Sequence, residues 1–276
     1  MIEQLLVGML GAIVGSFLNV CIHRLPREES IVTPGSHCPK CKKPILWHDN
    51  IPVVSYLILR GKCRVCKEKI SMRYLLVELI TAFFFLLFFN YCGLGLRFIA
   101  YLVFVCGLIV ATFVDFDYRI IPDEISLGGI AAGLFLSALK GLHLSSNTQH
   151  SLSVSYNPSP ILNSFWGVII GGGVIYLTGF FFDLVYFKLL KKPAIQGETS
   201  SMGGGDVKLL AMIGAFLGWQ SALLTFFLAP FFGAVVGVVN LISKKDHTIA
   251  YGPFLSLASL VTIFWADKII ALILLR

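Results

Sequence analysis

The sequence contains little charge. Only 13% of its 276 residues are Asp, Glu, Lys or Arg, whereas 57% are hydrophobic. A water-soluble domain of this size would not tolerate such a composition, which excludes the soluble globular class and indicates an integral membrane protein. The net charge of +7 is therefore interpreted first as a topology signal, and we expect membrane lipids as partners and no nucleic acid.

A basic segment is also absent ahead of the first apolar run. That run follows Met1, Ile2 and Glu3, and the first basic residues, Arg24 and Arg27, come after it. A cleaved signal peptide has its basic residues on the other side of its apolar stretch. The pattern instead predicts a retained anchor with its N-terminus outside.

Runs of roughly 17–25 apolar residues predict about eight transmembrane helices with one soluble insertion between the first two. The candidates cover about 5–22, 74–91, 97–115, 124–141, 161–187, 207–219, 221–243 and 252–275. The sixth is short, which favours a helix that is tilted or partly re-entrant.

The basic residues support this topology independently. Eighteen of the 22 Lys and Arg residues lie in loops that the alternation places in the cytosol, eleven of them in residues 24–73, as the positive-inside rule requires. The segment 143–160 has no Lys or Arg and is interpreted as a solvated external loop. We expect three domains: a first transmembrane helix (1–23), a cytosolic loop domain (24–73) and a seven-helix transmembrane bundle (74–276).

Four of the seven cysteines form two CxxC pairs in the cytosolic loop, Cys38 with Cys41 and Cys63 with Cys66. A two-residue spacer lets both thiolates of a pair bind one tetrahedral Zn²⁺ from a tight turn, and two such pairs at this distance are typical of a zinc ribbon. The predicted fold class is thus an all-α polytopic membrane protein with a small zinc-ribbon-like cytosolic insertion. Four thiolates leave no open position for a catalytic water, so the predicted Zn²⁺ is structural.

The alternative for these cysteines is two disulfides or four idle thiols. Disulfides need an oxidising compartment, whereas the excess of basic residues places the loop in the reducing cytosol, which favours zinc. Cys21, Cys92 and Cys106 lie in or beside apolar runs and are interpreted as small core residues.

Carboxylates in or at the ends of membrane helices are costly, so each needs a reason. Asp115 ends the third predicted helix and Asp206 begins the sixth, and the topology places both at the cytosolic face. Two carboxylates meeting at one depth can share a proton and activate a water. The other candidates are Glu78, Asp117, Asp123, Asp183 and Asp267.

Spacing alone leaves two interpretations of Asp206 open, because an aspartate after three glycines and before an apolar helix is equally consistent with an N-cap. A transporter or channel with ion-relaying carboxylates is a second function class, although transport sites tend to lie at the bilayer midplane. The sequence shows no GxGxxG after a strand, as a soluble Rossmann-type methyltransferase would have. It also presents no Ser-His or Cys-His pair as a nucleophile.

Several blocks together resemble the type IV prepilin peptidases, bifunctional leader peptidases and N-methyltransferases of type IV pilus and type II secretion systems. The blocks run in the family's order along nearly the whole chain: GSFLNVCIHRLP, CPKC, NIPVVSYLILRGKCRVC, RYLLVE, VDFDYRIIPD, GGGDVKLLAMIGAFLGW and YGPFLSLA.

This resemblance implies that Asp115 and Asp206 are the catalytic aspartates of a GxGD-type aspartyl protease in the bacterial inner membrane. It implies prepilin or pseudopilin substrates, whose short basic leader is removed after a Gly at the cytosolic membrane face. It further implies methylation of the new N-terminal amine with S-adenosylmethionine, and it points to the cytosolic loop, including Gly61 and Lys62, for that activity. No cofactor pocket follows from the sequence.

Overall fold

The computed structural model describes residues 1–143, 159–189, 203–242 and 250–274. Its helices are α1 (Ile2–Arg24), α2 (Val54–Ile58), α3 (Met72–Cys92), α4 (Leu96–Tyr118), α5 (Asp123–His143), α6 (Pro160–Asp183), α7 (Gly204–Leu217), α8 (Trp219–Ile242) and α9 (Gly252–Leu274). Eight of these nine coincide with the eight predicted apolar segments, and α2 belongs to the soluble insertion. No strand occurs in these ranges, so the all-α class is confirmed.

Some predictions lie outside the described residues. They are the interior of the predicted external loop 143–160, and the cytosolic lysines at positions 191, 192, 244 and 245.

The helices end where local chemistry requires it. Gly93 follows α3 with φ +66°, and Gly218 separates α7 from α8 with φ +83°. Glycine adopts this left-handed region without a Cβ clash. Arg119 ends α4 with φ +59°, the usual left-handed conformation after a helix C-terminus. Pro160 lies in the first turn of α6, where its missing N–H removes no helical hydrogen bond.

Five helical segments within the described part of the chain are long and apolar enough to cross a membrane. They are Ile2–Arg27, Met72–Cys92, Leu96–Tyr118, Pro160–Tyr186 and Trp219–Val239. The number of about eight spans therefore stays a prediction. Helix α7 has 14 residues and is about 21 Å long, so it is shorter than the hydrocarbon layer of about 30 Å.

The chain forms two compact units, Met1–Val114 and Asp115–Arg276. In the first unit, α1 packs against α3 through two glycines. A Cβ on Gly11 would lie 2.7 Å from Ala82 Cα, and one on Gly15 would lie 2.8 Å from Glu78 Cα. Small residues at these positions let the two backbones approach closely, as in many membrane helix pairs.

In the second unit, α7 packs against α5, α6, α8 and α9. Its residues from Leu209 to Ala215 are all buried, which is the mark of a helix enclosed by protein on every side. A Cβ on Gly171 of α6 would lie 2.6 Å from Leu210 O of α7, so this glycine serves helix packing, as the sequence predicts. The enclosure explains how so short a helix is accommodated.

Candidate active site and cysteine cluster

A cavity of about 280 Å³ in the second unit brings the two predicted aspartates together. It is lined by the end of α4 and the turn after it, and by Gly203, Gly204 and Gly205 at the start of α7. Asp115 and Asp206 both line it, and they lie close enough for their charges to interact. The structure thus joins two residues that are 91 positions apart in the chain.

Asp115 is held in place by the last helix. It lies in the last turn of α4, is 6% exposed, and its Oδ2 accepts a hydrogen bond from Gly252 N–H at 2.8 Å. A Cβ at position 252 would lie 2.7 Å from the same Oδ2. Only glycine at this position permits the approach, so the first residue of α9 fixes the position of the Asp115 carboxylate.

Asp206 lies in the first turn of α7, but the N-cap alternative for it is wrong. The N-cap is Gly203, and no side chain caps this helix. The Asp206 side chain instead lines the cavity that contains Asp115. Gly205, just before it, packs against the turn after α4, where a Cβ would lie 3.1 Å from Ile121 Cβ. The glycines therefore let the start of α7 approach the end of α4.

Two features of this site were not predicted from the sequence. Lys208 Nζ pairs with Asp123 Oδ1 at 2.6 Å, which links the first turn of α7 to the start of α5. Tyr251, directly before α9, is near enough to Asp206 for an electrostatic interaction. The sequence shows the Tyr-Gly pair at the start of the last predicted helix. Its contacts with the aspartates depend on the tertiary fold, so the sequence does not predict them.

Of the other candidate carboxylates, Asp123 also lines this cavity, where its Oδ1 accepts from Lys208 Nζ. Asp117 is exposed. Glu78 belongs to the first unit, is 8% exposed, and accepts a hydrogen bond from Val53 N–H at 2.7 Å.

Two carboxylates from different helices in one partly enclosed cavity can hold a water between them and share a proton. This arrangement suits the hydrolysis of a carbonyl compound without a covalent intermediate.

The cysteine pairs lie in two turns with the same hydrogen-bond pattern. Cys38 N–H donates to Lys43 O at 3.0 Å and Cys63 N–H donates to Glu68 O at 2.8 Å. In both turns the lysine after the second cysteine has a left-handed backbone, with φ +58° at Lys42 and +57° at Lys67. The insertion therefore contains the same knuckle twice.

The two knuckles bring four sulfur atoms together. The Sγ atoms of Cys38, Cys41, Cys63 and Cys66 all lie within 4.8 Å of one another. Cys38 Sγ and Cys66 Sγ are 3.8 Å apart, too far for a disulfide, whose sulfurs are about 2.05 Å apart. None of the seven cysteines, which all lie in the described ranges, forms a disulfide. Four thiolates at about 2.3 Å from one tetrahedral Zn²⁺ would have sulfur spacings near 3.8 Å, so the cluster fits zinc.

Backbone donors favour the thiolate form in this cluster. Hydrogen bonds from the N–H groups of Cys66 and Val65 lower the pKa of the Cys63 thiol to about 7. The N–H groups around Cys38, first that of Cys41, lower the pKa of that thiol as well. Although the backbone N–H of Glu68 lowers it, burial and hydrogen bonds with the other three thiols raise the pKa of the Cys66 thiol to about 11. Thiolates are the form that binds metals, so each knuckle has one cysteine whose thiolate form is favoured.

An aspartate pair that faces one cavity in a bundle of apolar helices is the arrangement expected of an aspartyl peptidase that lies in a membrane. Two family models match the chain: "Bacterial Peptidase A24 N-terminal domain" over residues 9–92 and "Type IV leader peptidase family" over residues 102–238. The chain belongs to the type IV leader peptidase family.

Several relatives of similar length have one name in common. The chain is 34% identical to a "Prepilin leader peptidase/N-methyltransferase" of Stutzerimonas stutzeri, over 95% of this chain and 91% of the relative. Proteins of the same name from Pseudomonas aeruginosa and Neisseria gonorrhoeae are 32% and 33% identical, over 95% of this chain and 90% of each relative. No solved structure matches the chain.

Proposed function

We propose that this protein removes the basic leader of a prepilin or pseudopilin after a Gly, and then methylates the new N-terminal amine with S-adenosylmethionine. The observation that carries the proposal is the cavity shared by Asp115 and Asp206. The name of the relatives, leader peptidase and N-methyltransferase, supports both activities. We place the protein in the bacterial inner membrane, with the N-terminus outside and the aspartates at the cytosolic face.

The proposed cleavage uses the two aspartates as an acid–base pair. The ionised carboxylate takes a proton from a water held in the cavity, and the water attacks the carbonyl of the leader Gly. The protonated partner polarises that carbonyl and later supplies the proton to the departing amine. The hydrogen bond from Gly252 N–H to Asp115 keeps one carboxylate in a fixed orientation throughout.

The cysteine cluster has a structural role in this proposal. Zn²⁺ bound by Cys38, Cys41, Cys63 and Cys66 would join the two knuckles, because a loop of this size has too small a core to fold by burial alone. A four-thiolate site is closed, so the ion takes no part in the hydrolysis. S-adenosylmethionine supplies an electrophilic methyl group for the amine.

The aspartate assignment is tested by incubating the purified protein with a prepilin and labelled S-adenosylmethionine. We expect Asp115→Asn and Asp206→Asn each to reduce leader cleavage by at least roughly 10³-fold, because one partner of the pair is lost. Cleavage is measured by the loss of leader mass, and methylation by label on the new N-terminus.

The matched control is Asp117→Asn, which makes the same chemical change on an exposed residue of the same helix and should leave cleavage intact. The midpoint of thermal unfolding in detergent reports that each variant is folded. Retained cleavage in either Asp115→Asn or Asp206→Asn would overturn the assignment. Cleavage without labelling of the product would restrict the protein to peptidase activity.

A further inference from the structure

A second cavity lies wholly within the first unit and contains neither aspartate. Its volume is about 370 Å³, within the range of about 300–1,000 Å³ that is usual for small-molecule sites. The half of α1 from Ile13 to Arg24 forms one wall, and the cytosolic insertion forms the other through residues 31–36, Asn50 and Pro52. The lining combines apolar side chains with hydroxyl, amide and guanidinium groups.

Arg24 gives this cavity a positive charge. Its side chain is 7% exposed, and its guanidinium donates to Ser30 O at 2.8 Å, to Pro34 O at 2.6 Å and to Gly35 O at 3.4 Å. All three acceptors are neutral carbonyls, and no carboxylate pairs with Arg24 in the described ranges. A buried guanidinium without a counter-ion favours an anionic ligand. At least two of its five N–H groups are left for that ligand.

Directly after Pro52 of the opposite wall, the backbone has a strained conformation. Val53 has φ +62° and ψ −53°, and Val54 N–H donates to Pro52 O at 2.6 Å across it, which makes a γ-turn of the rare, strained type. The buried Glu78 carboxylate holds this turn through the Val53 N–H. A β-branched residue in this region is a genuine outlier, and such strain persists mainly at functional sites.

We propose that this cavity is the S-adenosylmethionine site, with the methionyl carboxylate on the Arg24 guanidinium. This inference rests on the N-methyltransferase part of the proposed function. The methionyl carboxylate needs a cation and the adenosine group needs a mixed polar and apolar lining, and the cavity provides both. Ser16, Ser36 and Asn50 supply the neutral polar groups, and Phe17 and Val20 supply apolar surface.

The test compares two ligands that differ only in the carboxylate. Binding of S-adenosylmethionine and of its decarboxylated analogue to the full-length protein in detergent is measured by calorimetry. We expect the wild-type protein to prefer S-adenosylmethionine by roughly 10- to 100-fold, the usual value of a charge-assisted hydrogen bond. In Arg24→Gln this preference should disappear, while the decarboxylated analogue binds as before.

Arg24 also holds the loop at Ser30 and Pro34, so a second variant keeps those contacts. Val20→Phe reduces the cavity volume from the α1 side and should weaken binding of both ligands by at least roughly tenfold. Leu6→Phe, on the same helix away from the cavity, should change neither. Prepilin cleavage and zinc content serve as readouts of folding in all three variants.

The preference for the carboxylate persisting in Arg24→Gln, or full S-adenosylmethionine binding in Val20→Phe, overturns the proposal. Binding of phosphatidylglycerol vesicles to the wild-type protein and to Arg24→Gln is measured separately. Arg24-dependent binding of that lipid without Arg24-dependent binding of S-adenosylmethionine would assign the cavity to a lipid phosphate and overturn it as well. Failure of the aspartate variants to stop cleavage would instead affect only the peptidase assignment, because those residues lie in the other unit.

Discussion

At the scale of single residues, the candidate active site depends on where glycine is placed. Gly252 brings a backbone N–H to Asp115, and Gly205 lets the start of α7 approach Ile121. Neither glycine has a reactive group, yet each controls the position of an aspartate. Preorganised geometry of this kind is a large part of catalysis, because small displacements of a reacting group are costly.

Gly252→Ala should therefore impair cleavage without removing a catalytic group. The new Cβ would lie 2.7 Å from Asp115 Oδ2, so either the carboxylate or the start of α9 must shift. A displacement of about 1 Å can cost roughly 10²-fold in rate, and we expect a decrease of that order in kcat/KM for a prepilin peptide. The measurement is a steady-state cleavage assay.

Gly128→Ala in α5 is the control for this prediction, because nothing lies within 4 Å of a Cβ at that position. It should cleave at the wild-type rate. An equal loss of activity in both variants would indicate a general cost of alanine in these helices, and would contradict the specific role given to Gly252.

At the scale of elements, the second unit is organised around α7. Helix α6 contacts α7 through Gly171, and the pair Gly167 and Gly214 brings the same two backbones into direct contact. Since lipid tails are as apolar as the side chains, such helices associate through close packing and not through the hydrophobic effect. The position of Asp206 at the start of α7 therefore depends on packing along the whole helix.

Gly171→Ala should destabilise this helix pair. Its Cβ would lie 2.6 Å from Leu210 O, a backbone atom that cannot move aside easily, and overpacking of this kind costs about 1–3 kcal/mol. We expect a lower midpoint of thermal unfolding in detergent. Gly173→Ala, two residues along the same helix and facing open space, should keep the wild-type midpoint or raise it. A lower midpoint in Gly173→Ala alone would contradict this account.

The two CxxC knuckles predict how the zinc content changes when one cysteine of the cluster is replaced. Cys63→Ser removes one of four ligands, and we expect the zinc content to fall from about one ion per chain to near zero under mild chelation, because a closed four-thiolate site tolerates no lost ligand. Cys106→Ser, in α4 and outside the cluster, should retain the ion. Elemental analysis of the purified proteins decides between the outcomes, and zinc retention by Cys63→Ser would exclude the cluster as the site.

The sequence predicted local features well and tertiary ones poorly. Apolar runs locate eight of the nine helices because each of these helices is continuously apolar, and the CxxC spacing identifies the cluster because it already sets the local turn. The contact of Gly252 with Asp115, the pair of Lys208 with Asp123 and the cavity beside Arg24 each join distant segments. Spacing alone could not decide whether Asp206 is an N-cap or lines a cavity, because an aspartate at the start of a helix is consistent with both.

At the scale of the whole molecule, each unit has its own cavity. The first unit, Met1–Val114, has a cavity beside a buried cation, and the second, Asp115–Arg276, has one with two carboxylates. The two family models also divide the chain into a segment ending at residue 92 and one beginning at residue 102. Under the two proposals, cleavage and methylation would thus have separate cavities.

The topology of the whole chain can be tested with alkaline phosphatase fusions, because this reporter needs disulfides and is active only outside the cytosol. A fusion after residue 150 should be active, and a fusion after residue 60 should be inactive, as the distribution of Lys and Arg predicts. Activity after residue 60 would reverse the predicted orientation and would place the cysteine cluster in an oxidising compartment.

The shortness of α7 has a consequence for hydration. A helix of about 21 Å leaves roughly 9 Å of a 30 Å hydrocarbon layer without its backbone, and polar backbone ends cannot face lipid. At the start of α7, the three glycines before Asp206 line the cavity that contains both aspartates, so no bulky side chain from that segment fills it. The water that the proposed hydrolysis consumes would occupy this cavity, beside both aspartates.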